Sequence, residues 1–252
     1  MSENRLTPEF WLEALRREGA TFRSAVSQDA LPSRVPSCPE WNVEQLIGHL
    51  GQTYRFHAAH VVRGLTTRPE QEPEEPPAGP EVLAWWDESF RLLLSALESV
   101  KPSAPAWNWS IQEPVAKFWF RRMAHETAIH RWDAELAAAA GYTEPIETQL
   151  AVDGVDEALD TFLPAGHRAG PDTLRGVVTL RTTDAHAHWA VRLRGPGISL
   201  LDTDTVFDDP PHAQTAVSGS ASDLLLALWG RVPIAVLNVE GNPALPQALL
   251  VH

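Results

Sequence analysis

HETAIHRWD, residues His125 to Asp133, lies inside a long segment of helical periodicity. Glu126 and His130 are four apart. On an α-helix that spacing sets a carboxylate and an imidazole on one face, one turn from each other. Asp133 lies one turn further along the same stripe. Such a pair holds a divalent metal if another helix supplies a third ligand. The zincin motif H-E-x-x-H is not what stands here, because it needs two histidines four apart. His125 and His130 are five apart, roughly 140° around a helix, and cannot grip one ion without breaking it. The usable pair is Glu126 with His130, and His125 points elsewhere. Taken alone, E-x-x-x-H is also common on solvated helix faces.

Outward from this stretch, Trp119, Met123, Glu126, His130, Asp133 and Ala137 recur at spacings of four and three. They predict a helix from about Val115 to Ala140, with Glu126, His130 and Asp133 at positions where apolar side chains normally sit. Buried carboxylates are costly unless paired or coordinated. Two explanations therefore stand side by side. Either the polar residues bind a cation, or Arg122 and Arg131 neutralise them as salt bridges.

A third ligand must come from elsewhere. The run SCPEWNVEQLIGHLGQTYRFHAAHVV, residues 37–62, predicts a second helix, with Asn42 as its cap and Gln45 completing a capping-box-like pair. Leu46, Leu50, Tyr54 and Val61 suit its buried face. His57 and His60 lie about 12 and about 16 Å along the axis from His49 at a 1.5 Å rise per residue, too far to share an ion with it. His49 is the one free to meet the distant pair. His57 and His60 are expected to be partly exposed or hydrogen-bonded polar positions.

The rest of the first half supplies bundle partners. Thr7-Pro8 reads as a helix start, and Trp11, Leu15, Phe22 and Val26 form one stripe, ending near Val26. Residues 63–80 are acidic and proline-rich, a solvated loop. Trp86, Phe90, Leu93, Leu97 and Val100 then alternate by four and three, a bundle seam. Trp107 and Trp109 fall in the loop that follows, where they either line a pocket or plug the bundle end.

After Gly141 the period changes. Val152 to Phe162 predicts a connecting helix. LRGVVTLRTTD and HWAVRLRG alternate with period two and form a hairpin. Further strands are expected at Ile198–Phe207, AQTAVSGS and VLNVEGN, and a final helix at PALPQALLV. Ser220 to Asp223 caps an apolar helix that stops at Gly230, immediately before Arg231. Strands with terminal helices imply an α+β domain from about residue 150.

Composition narrows the function. A net charge of −13 argues against nucleic acid, whose binding depends on Lys and Arg. A single cysteine, Cys38, excludes an internal disulfide framework and fits a reducing, cytoplasmic compartment. There is no apolar run of membrane-spanning length and no signal-peptide pattern. Several of the ten tryptophans cluster near the proposed site and suit the walls of a dry pocket. Cys38 lies just before a helix start, yet without a His–Asp partner pattern it reads as a small loop residue rather than a nucleophile.

Four runs carry a resemblance: CPEWNVEQLIGHL, HETAIHRWDAE, SGSASDLLLALWGR and VEGNPAL. Together they resemble the mycothiol-dependent maleylpyruvate isomerase family over nearly the whole chain. The resemblance implies a two-domain fold, α followed by α/β: a DinB-like four-helix metal-binding domain over residues 1–148, then a smaller α+β, sterol-carrier-like domain over residues 149–252. It implies a zinc site made by His49, Glu126 and His130, the ligand set that helix geometry also reaches, and an active-site arginine best matched by Arg231. Binding carbonyls at the helix end is the other use for Arg231. The implied cofactors are zinc, or another divalent metal, and mycothiol. In the family reaction a thiolate adds to the cis double bond of maleylpyruvate, and rotation with elimination gives the trans product. Thiol transfer to another small electrophilic acid is open to the same site. Asp133 is then a partner that orients a metal ligand. The expected partners are a low-molecular-weight thiol and a small-molecule substrate, in a monomer or homodimer. Two other readings remain: a metal-dependent hydrolase using activated water, and a non-catalytic metal- or small-molecule-binding protein.

Overall fold

A computed structural model describes residues 6–70, 74–138, 143–201 and 214–252. The chain divides into two compact units, one of residues Leu6–Glu144 and the other from Pro145 to His252.

Four helices build the first unit: α1 (Pro8–Ala25), α2 (Val43–Arg63), α3 (Glu81–Ser99) and α4 (Lys117–Ala138). Thr7 caps α1 by accepting from the Phe10 N–H, with Pro8 at the first helical position. The predicted capping box on α2 is present in both directions. The Asn42 side chain accepts from the Gln45 N–H at 2.9 Å, and the Gln45 side chain accepts from the Asn42 N–H at 3.0 Å. Gly64 ends the helix at φ 62°, a left-handed stop that costs other residues strain. Helix α1 packs on α4 and α3, and α2 packs on α3 and α4, closing a four-helix bundle.

Helix α4 begins at Lys117, two residues later than the periodicity placed it; its expected last residues, 139 and 140, lie outside the described ones. From Phe118 to Ala134 every residue is buried except the half-buried Arg121 and Glu126. This helix is therefore the core of the unit rather than one of its walls. Its charges need partners inside the protein. Arg131 donates to Glu18 of α1 and to Glu135, at 2.8 Å each. Two close approaches fix the neighbouring helices. A Cβ on Gly51 of α2 would sit 2.4 Å from the Trp85 ring of α3, and one on Gly19 of α1 would sit 2.2 Å from the Phe90 ring.

The second unit opens with α5 (Thr148–Glu157), which runs on through a π turn, Ala158–Phe162, in place of the single regular helix expected there. The sheet contains β1 (Arg175–Thr182), β2 (His188–Arg194), β3 (Ile198–Leu201), β4 (Gln214–Gly219) and β5 (Asn238–Gly241). Its order is β3-β2-β1-β4-β5, with β1 and β4 parallel and the other pairs antiparallel. Val178 of β1 stands opposite Val191 of β2 and Thr215 of β4. The continuation expected for β3 to Phe207 falls outside the described residues. Helix α6 (Ala221–Leu228) is capped by the Ser220 hydroxyl and is apolar, packing against α5, β1 and β4. The expected last helix is only a 3₁₀ turn, Pro246–Leu249, because Pro243 and Pro246 leave too few backbone donors for an α-helix. The second unit is thus a small α+β fold. Among the described residues no helix is long and apolar enough to cross a membrane.

Candidate metal centre

Packing of α2 on α4 brings three side chains together, all in the first unit. His49 Nε2 lies 3.1 Å from Glu126 Oε1, and His130 Nε2 lies 3.3 Å from the same oxygen. One donor atom from each of the three residues lies within 4.8 Å of the other two. Among the described residues this is the group of His, Cys, Asp and Glu with metal-binding geometry. Two imidazole nitrogens and one carboxylate oxygen form a donor set that divalent transition ions accept, and three protein ligands leave coordination positions for something else. Each of the three side chains reaches this point for a local reason. The capping box fixes the start of α2 seven residues before His49, and the four-residue spacing on α4 stacks Glu126 over His130.

The side chains of Glu126, His130 and His49 also have their own supports. Glu126 divides its two oxygens: Oε1 faces the imidazoles, while Oε2 accepts from Arg122 Nη2 at 2.8 Å. His130 Nδ1 lies 2.9 Å from Asp133 Oδ2, so an Nδ1–H donated there leaves the Nε2 lone pair for a cation. Asp133 is fully buried, and its Oδ1 accepts from the Ser37 hydroxyl at 2.6 Å. The Trp41 ring covers His49 at 4.7 Å between centroids and reaches His130 at 5.9 Å. The two explanations set against each other by the sequence are therefore compatible: Arg122 does pair with Glu126, and it engages the oxygen turned away from the imidazoles. Arg131 is committed elsewhere, to Glu18 and Glu135.

Electrostatics follow from these contacts. Burial works against a charged Glu126, but its hydrogen bonds to His130 and His49 and the Arg122 charge outweigh it, holding the carboxyl well below its usual range. Burial likewise opposes the imidazolium of His130, but the hydrogen bonds to Asp133 and Glu126 win, and its proton is held above the ordinary histidine value.

The remaining sequence candidates fall elsewhere. His125 is fully buried and outside the donor group, as its position around the helix requires. His57 stacks on Trp119 at 3.7 Å, and His60 is buried with Nδ1 3.2 Å from the Phe56 carbonyl. Burial, first of all, lowers the pKa of both. The Trp107 carbonyl accepts from Trp119 Nε1 at 2.7 Å, tying this loop to α4. Cys38 Sγ lies 3.8 Å from Asp133 Oδ2, beside the centre but outside the donor set. A cavity of about 550 Å³ lies between α2 and α3, lined by Phe56, Ala59, Val62, Leu92 and Ala96 among others, and includes none of the three donors. Arg231 belongs to the second unit. Its Nη1 donates to the Trp229 carbonyl at 3.0 Å past the end of α6. Ser37 and Trp41 were not singled out by the sequence. Their signal is their place in the loop, six and two residues before the start of the helix that carries His49.

The fold and this centre define a class: a four-helix bundle with a His/His/Glu donor group between two helices, followed by a small α+β unit. The mycothiol maleylpyruvate isomerase N-terminal domain matches residues 12–135, and the C-terminal domain of the same family matches residues 149–248. The chain belongs to the mycothiol-dependent maleylpyruvate isomerase family. Two crystal structures are similar, those of the mycothiol-dependent maleylpyruvate isomerase and of a histidine-to-alanine mutant of it. They share 15% and 14% sequence identity with this chain, and each alignment covers 95% of this chain and 94% of the other, with a TM-score of 0.59. At that identity the likeness is one of fold. No curated protein sequence matches the chain.

Proposed function

We propose that this chain is a zinc- and mycothiol-dependent isomerase or S-transferase acting on a small electrophilic acid. The convergence of His49, Glu126 and His130 on one point carries the reading. These residues would hold the ion, and Asp133 and Arg122 would keep His130 and Glu126 in their liganding forms. A divalent cation held there supplies the positive charge that favours a thiol cofactor in its nucleophilic thiolate form. Trp41 forms an apolar wall over the two imidazoles that limits water beside them. Arg231 would pair with a substrate carboxylate, which suits its planar fork.

The test is activity toward maleylpyruvate and related cis-unsaturated acids, with zinc-loaded protein, in the presence and absence of mycothiol. The reading expects turnover that requires both metal and thiol. Turnover with metal alone would favour a hydrolase and overturn it. Binding of metal and thiol with no turnover across such acids would favour a binding protein.

A further inference from the structure

We infer that Ser37 is a positioning residue of the metal centre, acting on His130 through Asp133. The inference rests on the metal-binding reading above and deepens it. Asp133 has two carboxylate oxygens and no exposure to solvent. One accepts from the Ser37 hydroxyl at 2.6 Å, and the other faces His130 Nδ1 at 2.9 Å. A buried carboxylate with one oxygen fixed cannot rotate about its terminal bond without losing that hydrogen bond, which costs more in the interior than in water. Fixing Oδ1 therefore fixes Oδ2. That selects the imidazole tautomer with the proton on Nδ1 and points Nε2 at the oxygen it shares with His49, 3.3 Å away.

The consequence is structural economy. Ser37 and Asp133 are 96 residues apart. Ser37 stands in the loop ahead of α2, and four residues on, Trp41 rests against His49. One short loop thus orients the histidine from α4 by a hydrogen-bond relay and covers the histidine from α2 with a ring. The relay makes no contact with a cation and would act only through ligand orientation, an effect typically of about 10- to 100-fold on metal affinity.

The experiment measures cobalt(II) and zinc affinity of the full chain by chelator competition, with thermal midpoints recorded on the metal-free proteins. Ser37→Ala is expected to weaken binding about tenfold, while Ser37→Thr, which keeps the hydroxyl, stays near wild type. A Ser37→Ala protein that is less stable but binds cobalt as wild type does would overturn the relay and leave the metal centre standing. Equal weakening in Ser37→Ala and Ser37→Thr would also overturn it, by showing a packing effect rather than a hydrogen-bond effect. Wild-type protein that binds neither ion, or a His49→Ala variant that binds both normally, would sink the underlying reading instead. Should Ser37→Ala not fold, Ser37→Cys replaces the hydroxyl with a weak donor of similar size. Intermediate affinity supports the relay, and wild-type affinity overturns it.

Discussion

Glu126 gives one oxygen to Arg122 and turns the other toward two imidazoles, so removing its charge has two separate consequences. Arg122 is 3% exposed, and Glu126→Gln removes the carboxylate oxygen to which it donates at 2.8 Å. Breaking a buried pair from one side costs about 3–5 kcal/mol. The variant is expected to lose both metal binding and stability, read by metal analysis and urea denaturation. His49 is 36% exposed on its side chain, and His49→Ala is expected to lose metal binding while its metal-free stability changes by less than about 1 kcal/mol. The two variants unfolding alike would contradict this division. Protons compete with the cation at His130. Its raised folded-state pKa means that its stabilising contribution is complete below the unfolded value, about 6.5, and is lost as pH rises through the folded value. Glu126 works in the opposite sense: its contribution is present above the ordinary carboxylate range and is lost as pH falls toward its lowered value. A cation must displace the His130 proton, so the rise in thermal midpoint on adding zinc is expected to grow between about pH 6 and pH 8. A rise that is flat or shrinks over that range would count against His130 as a ligand. The convergence of His49, Glu126 and His130 was legible in the sequence because helical spacing places side chains on a face. Ser37 and Trp41 were not, because a loop has no period from which to infer direction.

At the scale of the element, α2 is held by a cap at its start and by a glycine contact along its length. Asn42→Ala removes half of the reciprocal capping pair and is expected to cost about 1 kcal/mol of stability. Gly51→Ala places a methyl group 2.4 Å from the Trp85 ring, and overpacking of this kind costs about 1–3 kcal/mol. Chemical denaturation checks both, and a neutral Gly51→Ala would show that α2 and α3 are not as close as described. The cap was readable because its chemistry is local. The Gly51 contact was not, because periodicity gives the face that a helix buries but not its distance to the next helix. Helix α4 shows the same limit. Its stripe of apolar and polar positions was clear, yet the burial of Arg122, His125 and Arg131 around the rest of the helix depends on partners such as Glu18, far away in sequence.

For the whole molecule, the order of classes, helices and then a small α+β fold, followed from the change of period after Gly141. The strand order did not. The parallel pairing of β1 with β4 is a choice among edges that alternation leaves open, and the π turn at Ala158–Phe162 has no periodic signature. The donors lie in one unit and Arg231 in the other, so the two are separable by mutation. Arg231→Ala is expected to keep wild-type metal content and lose about 100-fold or more in thiol-dependent turnover, from loss of a carboxylate partner. Unchanged turnover would return Arg231 to its structural contact with the Trp229 carbonyl. Most direct of all is the metal content of purified full-length protein, wild type beside His49→Ala. The wild type is expected to carry about one divalent ion per chain and the variant far less; equal content in the two would contradict a cation held between α2 and α4.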